Sequence, residues 1–194
     1  MQRVDQRRAS VRPGLSRGEL QRRLREADAA LRAATEKIRA LHGMAYTDTL
    51  TGLFNRRYLD DRLARELSRS RRQPGRAFSI LVLDLDGFKQ INDTQGHAAG
   101  DALLARVARF LSGQLRTHDV IARTGGDEFT VLLPDTGVAE CAGARERLRR
   151  AFAQFEVGCS IGSASWPGDG STLTALAVAA DAAMYAEKRR RHAL

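Results

Sequence analysis

The sequence predicts an α/β (α+β) sandwich, a mixed sheet flanked by helices, preceded by an N-terminal helix patterned for a coiled coil. Three observations carry this reading. From about residue 46 onward, short apolar runs alternate with amphipathic segments, the pattern of a layered α/β domain. Two of those runs, Val120-Ile121-Ala122 and Phe129 to Leu133, are joined by a short Gly-Gly-acid turn, so they read as an internal β-hairpin. Leu24, Leu31, Ile38 and Ala45 recur every seven residues, with Leu20, Ala27, Ala34 and Leu41 filling the complementary seam.

The elements follow in order. Residues 1–18 are Arg-rich, interrupted by Pro13-Gly14, and read as a basic, disordered arm. The heptad helix occupies 19–45; its seam is narrow and its alanines predict a weak, parallel, two-stranded coiled coil. Tyr46 to Leu53 breaks the heptads with turn and cap residues. Asn55 then caps a helix running to about Arg72, which Gln73-Pro74-Gly75 ends. Phe78 to Leu83 is a continuous apolar run, a central buried strand that delivers Asp84 and Asp86 to its C-terminal end. A short helix follows over Gly87–Asp93, with Phe88 and Ile91 inward. Gln95-Gly96-His97 turns the chain, and Gly100-Asp101 opens a helix to about Leu115, apolar at Leu103, Leu104, Val107 and Leu111. Beyond the hairpin, Pro134 to Gly137 is a turn, and Val138 to Phe155 a basic amphipathic helix. Val157 to Ala164 alternates like a strand, with Cys159 and Ile161 on one side. The last helix runs from about Thr172 to Lys188 and ends in Arg189-Arg190-Arg191. Four clear strands are few for such a sheet, so a further short strand is expected within 156–172.

Composition narrows the function. The chain of 194 residues carries a formal charge of +9, and residues 1–42 supply six of these charges, with ten Arg and one Lys against five acids. Such an arm can touch nucleic acid or anionic lipid, but a solvated helix face is the reading favoured here. No apolar run approaches the ~18 residues that span a bilayer, and no signal-peptide core follows the basic N-terminus, so a soluble cytoplasmic protein is expected. Cys141 and Cys159 have no metal-ligand spacing and read as buried free thiols; His42, His97, His118 and His192 lack such spacing too. There is no phosphate-binding P-loop, no dinucleotide-binding glycine motif and no nucleophile elbow.

What remains is acids at strand ends. Asp127 and Glu128 at a hairpin tip repel each other unless a cation neutralises them. The preceding Gly125 and Gly126 are expected to supply positive φ and let a bulky ligand approach the backbone. Asp84, on an adjacent strand, completes an acidic set suited to Mg²⁺, which takes one or two carboxylates and fills its shell with water and phosphate oxygens. Paired ions of this kind activate a hydroxyl and stabilise a leaving phosphate. Residue chemistry alone thus reaches metal-dependent phosphoryl or nucleotidyl transfer.

Several blocks, in order, resemble the GGDEF-domain diguanylate cyclases: Asp48-Thr49-Leu50-Thr51-Gly52-Leu53-Phe54-Asn55-Arg56-Arg57; Asp84-Leu85-Asp86-Gly87-Phe88-Lys89-Gln90-Ile91-Asn92-Asp93 with Gly96-His97 and Gly100-Asp101; the intact Gly125-Gly126-Asp127-Glu128-Phe129; Ser160-Ile161-Gly162; and Ala180 to Tyr185. The resemblance covers about residues 46–192 and implies a GGDEF domain over 46–194. It implies a palm-like nucleotidyl cyclase that binds one GTP, two copies facing each other to make cyclic di-GMP and two pyrophosphates with Mg²⁺ or Mn²⁺. By position it makes Asp84, Asp127 and the Leu85 carbonyl metal ligands, and Glu128 a ligand or the group that activates the hydroxyl. Gly125 and Gly126 belong to the catalytic motif. Asn92 and Asp101 would read the guanine edge, Phe88 and Lys89 would lie near the phosphates, and Lys188 would neutralise the triphosphate. Arg116 and Asp119, with Arg147 as a second basic contact, resemble the family's inhibitory site for cyclic di-GMP; otherwise they form a local ion pair closing a turn. The expected partners are GTP, cyclic di-GMP and a second copy held through residues 19–45, with no nucleic acid and no membrane segment. One departure stands out. The family ends its last block with Lys, two variable residues, Gly and Arg, whereas here Arg191 and His192 follow at the Gly and Arg positions. The competing readings are a non-catalytic GTP or cyclic di-GMP receptor signalling through its coiled coil, and a basic nucleic-acid binder; the intact hairpin motif argues against the first, and the lack of aromatics among the N-terminal arginines against the second.

Overall fold

The computed structural model describes residues 16–192, without the side chains of residues 39–42, 44 and 192. Most of the predicted basic arm, and the side chain of Leu41 in the heptad seam, therefore lie outside the described residues. The chain divides into two units, Met1–Gly43 and Met44–Leu194.

Helix α1 (Arg17–Tyr46) supplies the described part of the first unit. It starts from a reciprocal capping box: the Glu19 N–H donates to Ser16 Oγ at 3.3 Å and the Ser16 N–H to Glu19 Oε2 at 2.8 Å. The heptad residues Leu20, Leu24, Leu31 and Ile38 are each more than half exposed, at 53–67%.

The second unit is a five-stranded mixed sheet between helices. Strands β1 (Phe54–Asn55), β2 (Phe78–Asp86), β3 (Val120–Arg123), β4 (Glu128–Pro134) and β5 (Gly158–Trp166) lie in the order β1-β3-β4-β2-β5. The β1–β3 pair is parallel and the others are antiparallel. Helices α2 (Arg56–Arg72), α3 (Phe88–Gln95), α4 (His97–Gln114), α5 (Val138–Ala151) and α6 (Leu173–His192) cover it. Side chains alternate across a strand, and β2 shows what each face meets. Leu81, Leu83 and Leu85 enter the core shared with α3, α4 and α5. Phe78 and Ile80 enter the opposite core, with Leu59 of α2 and Leu176 and Ala180 of α6. Asp84 and Asp86 continue that second face, so the strand carries its two acids under α6.

The β5 residues facing α6 are small, and that lets the helix sit close. A Cβ on Gly162 would run into the Ala180 carbonyl and the Met184 backbone, and would lie 2.8 Å from Met184 Cβ.

The structure corrects the predicted elements in four places. The fifth strand is Phe54–Asn55, ahead of α2, and the described residues 156–172 hold only β5. Two residues are too few to show a period; β1 exists because Phe54 and Asn55 pair with Ala122 and Arg123. Helix α4 starts at His97 because Gly96, at φ 84°, breaks the helical path in a single residue. The helix after the hairpin ends at Ala151, and Phe152–Gln154 form a 3₁₀ turn. The last helix runs four residues past Lys188. Asn55 caps α2 as read, its Oδ1 accepting from the Tyr58 N–H at 3.1 Å. Cys141 and Cys159 are buried free thiols. Among the described residues, no helix is long and apolar enough to cross a membrane.

Candidate active site

The β3–β4 hairpin places its acids against the end of β2. Arg123 pairs with Phe129, and the Glu128 carbonyl closes the loop by accepting from the Thr124 N–H at 2.9 Å and the Gly125 N–H at 3.4 Å. Neither hairpin glycine has a positive φ; among the described glycines that conformation belongs to Gly52, Gly75, Gly87 and Gly96. At Gly125 a Cβ would lie 2.6 Å from Glu128 Oε2, so a side chain there would displace the Glu128 carboxylate. Gly126 has open space around it and is exposed.

Asp84 stands opposite Glu128 in the β2–β4 register and opposite Ser160 in the β2–β5 register. It is buried at 8% exposure, and Lys188 of α6 reaches it, Nζ donating to Oδ1 at 2.5 Å. That hydrogen bond is the largest influence raising the Lys188 pKa, with the charges of Asp84, Asp86 and Asp127 adding to it. The Leu85 N–H donates to the Asp127 carbonyl at 3.3 Å, tying the hairpin tip to β2, while the Leu85 side chain is in the core. Burial pushes the Asp127 carboxyl above its ordinary range, and Asp84 adds to the shift; Lys188 and Arg123 pull it back. Two carboxylates, with Asp84 close enough to disfavour the charge of Asp127, and oxygen-only donors suit a hard divalent cation. Among the described residues, no three acid, His or Cys side chains converge on one point. The donor set therefore fits Mg²⁺, which draws much of its shell from water and substrate phosphate, rather than an ion caged by protein alone.

Two arginines that sequence reasoning did not single out hold the hairpin. Arg123 donates to the Gly126 carbonyl from Nε at 3.1 Å and Nη2 at 2.8 Å, and its Nη1 is 3.3 Å from both carboxylate oxygens of Asp48. Burial alone would raise the Asp48 carboxyl; hydrogen bonds from Thr51 and Arg123 outweigh it and hold the carboxyl below its usual range. Arg56, the first residue of α2, donates from Nε to the Thr124 carbonyl at 3.1 Å. The available signal is a cation two residues before Gly125 and an unassigned acid, Asp48, in the 46–53 break.

The remaining residues separate into groups. Asn92 and the Phe88 ring both pack against Gly100, where a Cβ would strike the Asn92 carboxamide. Asn92 is half-buried, Asp101 is exposed in the first turns of α4, and Lys89 is exposed on α3. Phe88 is buried in the core, so only its backbone is open to a ligand. Gly87, at φ 76°, makes the turn from β2 into α3. Arg116, Asp119 and Arg147 line one small concavity together with Glu140. There the Asp119 side chain is 4% exposed. Its Oδ2 accepts from the Arg116 N–H at 2.8 Å, and Arg147 donates to the Gln114 carbonyl at 3.3 Å.

A profile of the family described as "Diguanylate cyclase, GGDEF domain" matches residues 45–193. The chain belongs to that family. As a GGDEF domain it is 42% identical over 158 residues to the bifunctional diguanylate cyclase/cyclic di-GMP phosphodiesterase MucR of Pseudomonas aeruginosa, an alignment covering 77% of this chain and 23% of MucR. It is 42% identical over 154 residues to the diguanylate cyclase DgcP of the same organism, covering 75% of this chain and 23% of DgcP. The chain thus spans about a quarter of the length of these curated relatives. Its structure resembles that of the coiled coil and GGDEF domain of DgcB from Caulobacter crescentus, solved in complex with c-di-GMP. That likeness has a TM-score of 0.77 at 30% identity, and covers 88% of this chain and 94% of that one. The mixed sheet flanked by helices is therefore the GGDEF fold.

Proposed function

We propose that the chain is a diguanylate cyclase, condensing two GTP into cyclic di-GMP and two pyrophosphates in the cytoplasm. The observation that carries this is the intact Gly-Gly-Asp-Glu-Phe hairpin, whose tip is tied to β2 beside Asp84, with Lys188 on that same acid. Each 3′-hydroxyl attacks the α-phosphorus bound to the other copy; the bond to the pyrophosphate oxygen breaks, and the hydroxyl proton is released. Mg²⁺ or Mn²⁺, when bound, lowers the barrier to deprotonation and neutralises charge on the phosphates. Asp84, Asp127 and the Leu85 carbonyl would hold it, and Glu128, opposite Asp84 in the β2–β4 register, would either join them or activate the hydroxyl. Lys188 would balance the triphosphate, and the α3 start at Phe88 and Lys89 offers backbone N–H groups to it. Asn92 and Asp101 supply the amide and carboxylate that a guanine edge requires. One domain holding one GTP cannot close a two-GTP ring, so residues 19–45 act as the dimerising coiled coil of a catalytic domain over 46–194, with 1–18 as a basic arm. The concavity of Arg116, Asp119 and Arg147 is the inhibitory site for the product.

Incubation of the full chain with GTP and Mg²⁺, followed by chromatography, tests the reading. Cyclic di-GMP should appear, should vanish with excess chelator, and should vanish in Asp127→Ala. Turnover that survives chelation would refute the metal assignment; no product from a folded dimer would refute the cyclase reading.

A further inference from the structure

The last turn of α6 contains a second contact with β2, one helical turn beyond Lys188. Asp84 and Asp86 are two apart on a strand and point to the same face; Lys188 and Arg191 are three apart on a helix and do likewise. Lys188 takes Asp84. Arg191 Nη1 lies 3.5 Å from Asp86 Oδ2, and its Nη2 donates to Glu187 Oε1 at 3.3 Å. Three further features are built around this pair. Ser160 donates its hydroxyl to Asp86 Oδ1 at 2.7 Å. Asp86 Oδ2, closed off from solvent, has no hydrogen-bond donor among the described residues, so the guanidinium charge is what compensates it. Gly158, opposite Asp86 in the β2–β5 register, leaves the room: a Cβ there would lie 2.7 Å from Asp86 Oδ2 and 3.0 Å from Arg191 Nη1.

An uncompensated carboxylate two residues from Asp84 would compete for Lys188 and for any cation bound nearby, because an unpaired buried charge recruits whatever counter-charge it can reach. We propose that Arg191 is a positioning residue of the nucleotide site: it neutralises Asp86 and pins the end of α6, so that Lys188 stays committed to Asp84. This rests on the nucleotide-site reading above. It also assigns Arg191 a different job from direct phosphate contact, since its guanidinium is already held between Asp86 and Glu187.

The test is a double-mutant cycle on the full chain, using Arg191→Met, Asp86→Asn and the pair. Two readouts are taken: thermal unfolding without nucleotide, and calorimetric binding of a non-reactive GTP analogue with Mg²⁺. Arg191→Met should lower Tm and weaken analogue binding on the order of tenfold, while the same substitution in the Asp86→Asn background should change both by less than about twofold equivalent. Arg191→Lys should recover part of the loss. Equal weakening of binding in both backgrounds would make Arg191 a phosphate ligand and overturn the proposal. Absence of coupling in Tm would show that the pair does not form, and overturn it as well. Coupling in Tm together with no analogue binding by wild type would refute the nucleotide-site reading itself and reduce the pair to a structural contact.

Discussion

At Asp127 the fold holds a carboxyl partly away from water beside Asp84, and both effects raise its pKa. The linkage has a definite sign. A carboxyl whose folded pKa is raised costs stability when ionised, so the protein gains stability where this group is protonated and loses it as pH rises through the raised value. Asp127→Asn should therefore stabilise the fold at neutral pH while abolishing turnover. Because Asp127 is only half-buried, solvent screening keeps the gain small. Thermal unfolding of both proteins across pH, in chelator, checks this. The difference should be present at pH 7, shrink as pH falls through the raised folded value, and vanish below the ordinary 3.8. A destabilised Asp127→Asn at neutral pH would mean that the carboxylate is held by donors rather than set against its neighbours. The sequence made the acid pair legible, because two acids in a Gly-Gly turn stand out locally. It did not make Lys188 or Arg191 legible as partners of Asp84 and Asp86, since those contacts span more than a hundred residues and depend on how closely α6 lies on β5.

The hairpin and helix α6 show why elements were easier to read than their supports. The apolar runs, the alternation in β5 and the cap at Asn55 are local patterns, and each appears where the sequence puts it. The two-residue β1 and the arginine clamp are tertiary products with no local period. Arg123 is mostly buried at 16% side-chain exposure, and joins Asp48 to the Gly126 carbonyl. Arg123→Ala would leave both partners short of a charged donor, costing about 1.5–3 kcal/mol in urea unfolding. A displaced hairpin tip should lower turnover on the order of tenfold or more. Turnover unchanged by Arg123→Ala would show that the turn holds itself in place. Gly162→Ala tests the helix contact separately. The added methyl meets the Ala180 carbonyl and the Met184 backbone, neither of which can rotate aside, so about 2 kcal/mol or more of destabilisation is expected. A neutral result would show that α6 can slide on β5.

For the whole molecule, the proposed activity would turn on bringing two copies of the domain together, and α1 presents the surface that can do it. Leu20, Leu24, Leu31 and Ile38 lie on heptad positions and are each more than half exposed in one chain, an arrangement that a second copy of the same helix would cover. The proposed dimer should be modest, because Ala27 and Ala34 in the seam bury little. Replacing Leu31 and Ile38 by Ser removes two large apolar contacts from each copy. At about 1.5 kcal/mol per side chain the dimer would lose about 6 kcal/mol, close to four decades in Kd. Tethering raises the effective concentration of one domain at the other, so the loss should appear in the kinetics as well as in mass. Sedimentation should move from dimer to monomer at micromolar protein, and specific activity should become proportional to protein concentration. Raising the concentration should then restore turnover, because the catalytic residues are untouched. A wild-type protein that sediments as a monomer, or a double variant whose specific activity stays independent of concentration, would mean that the domains meet through some other surface.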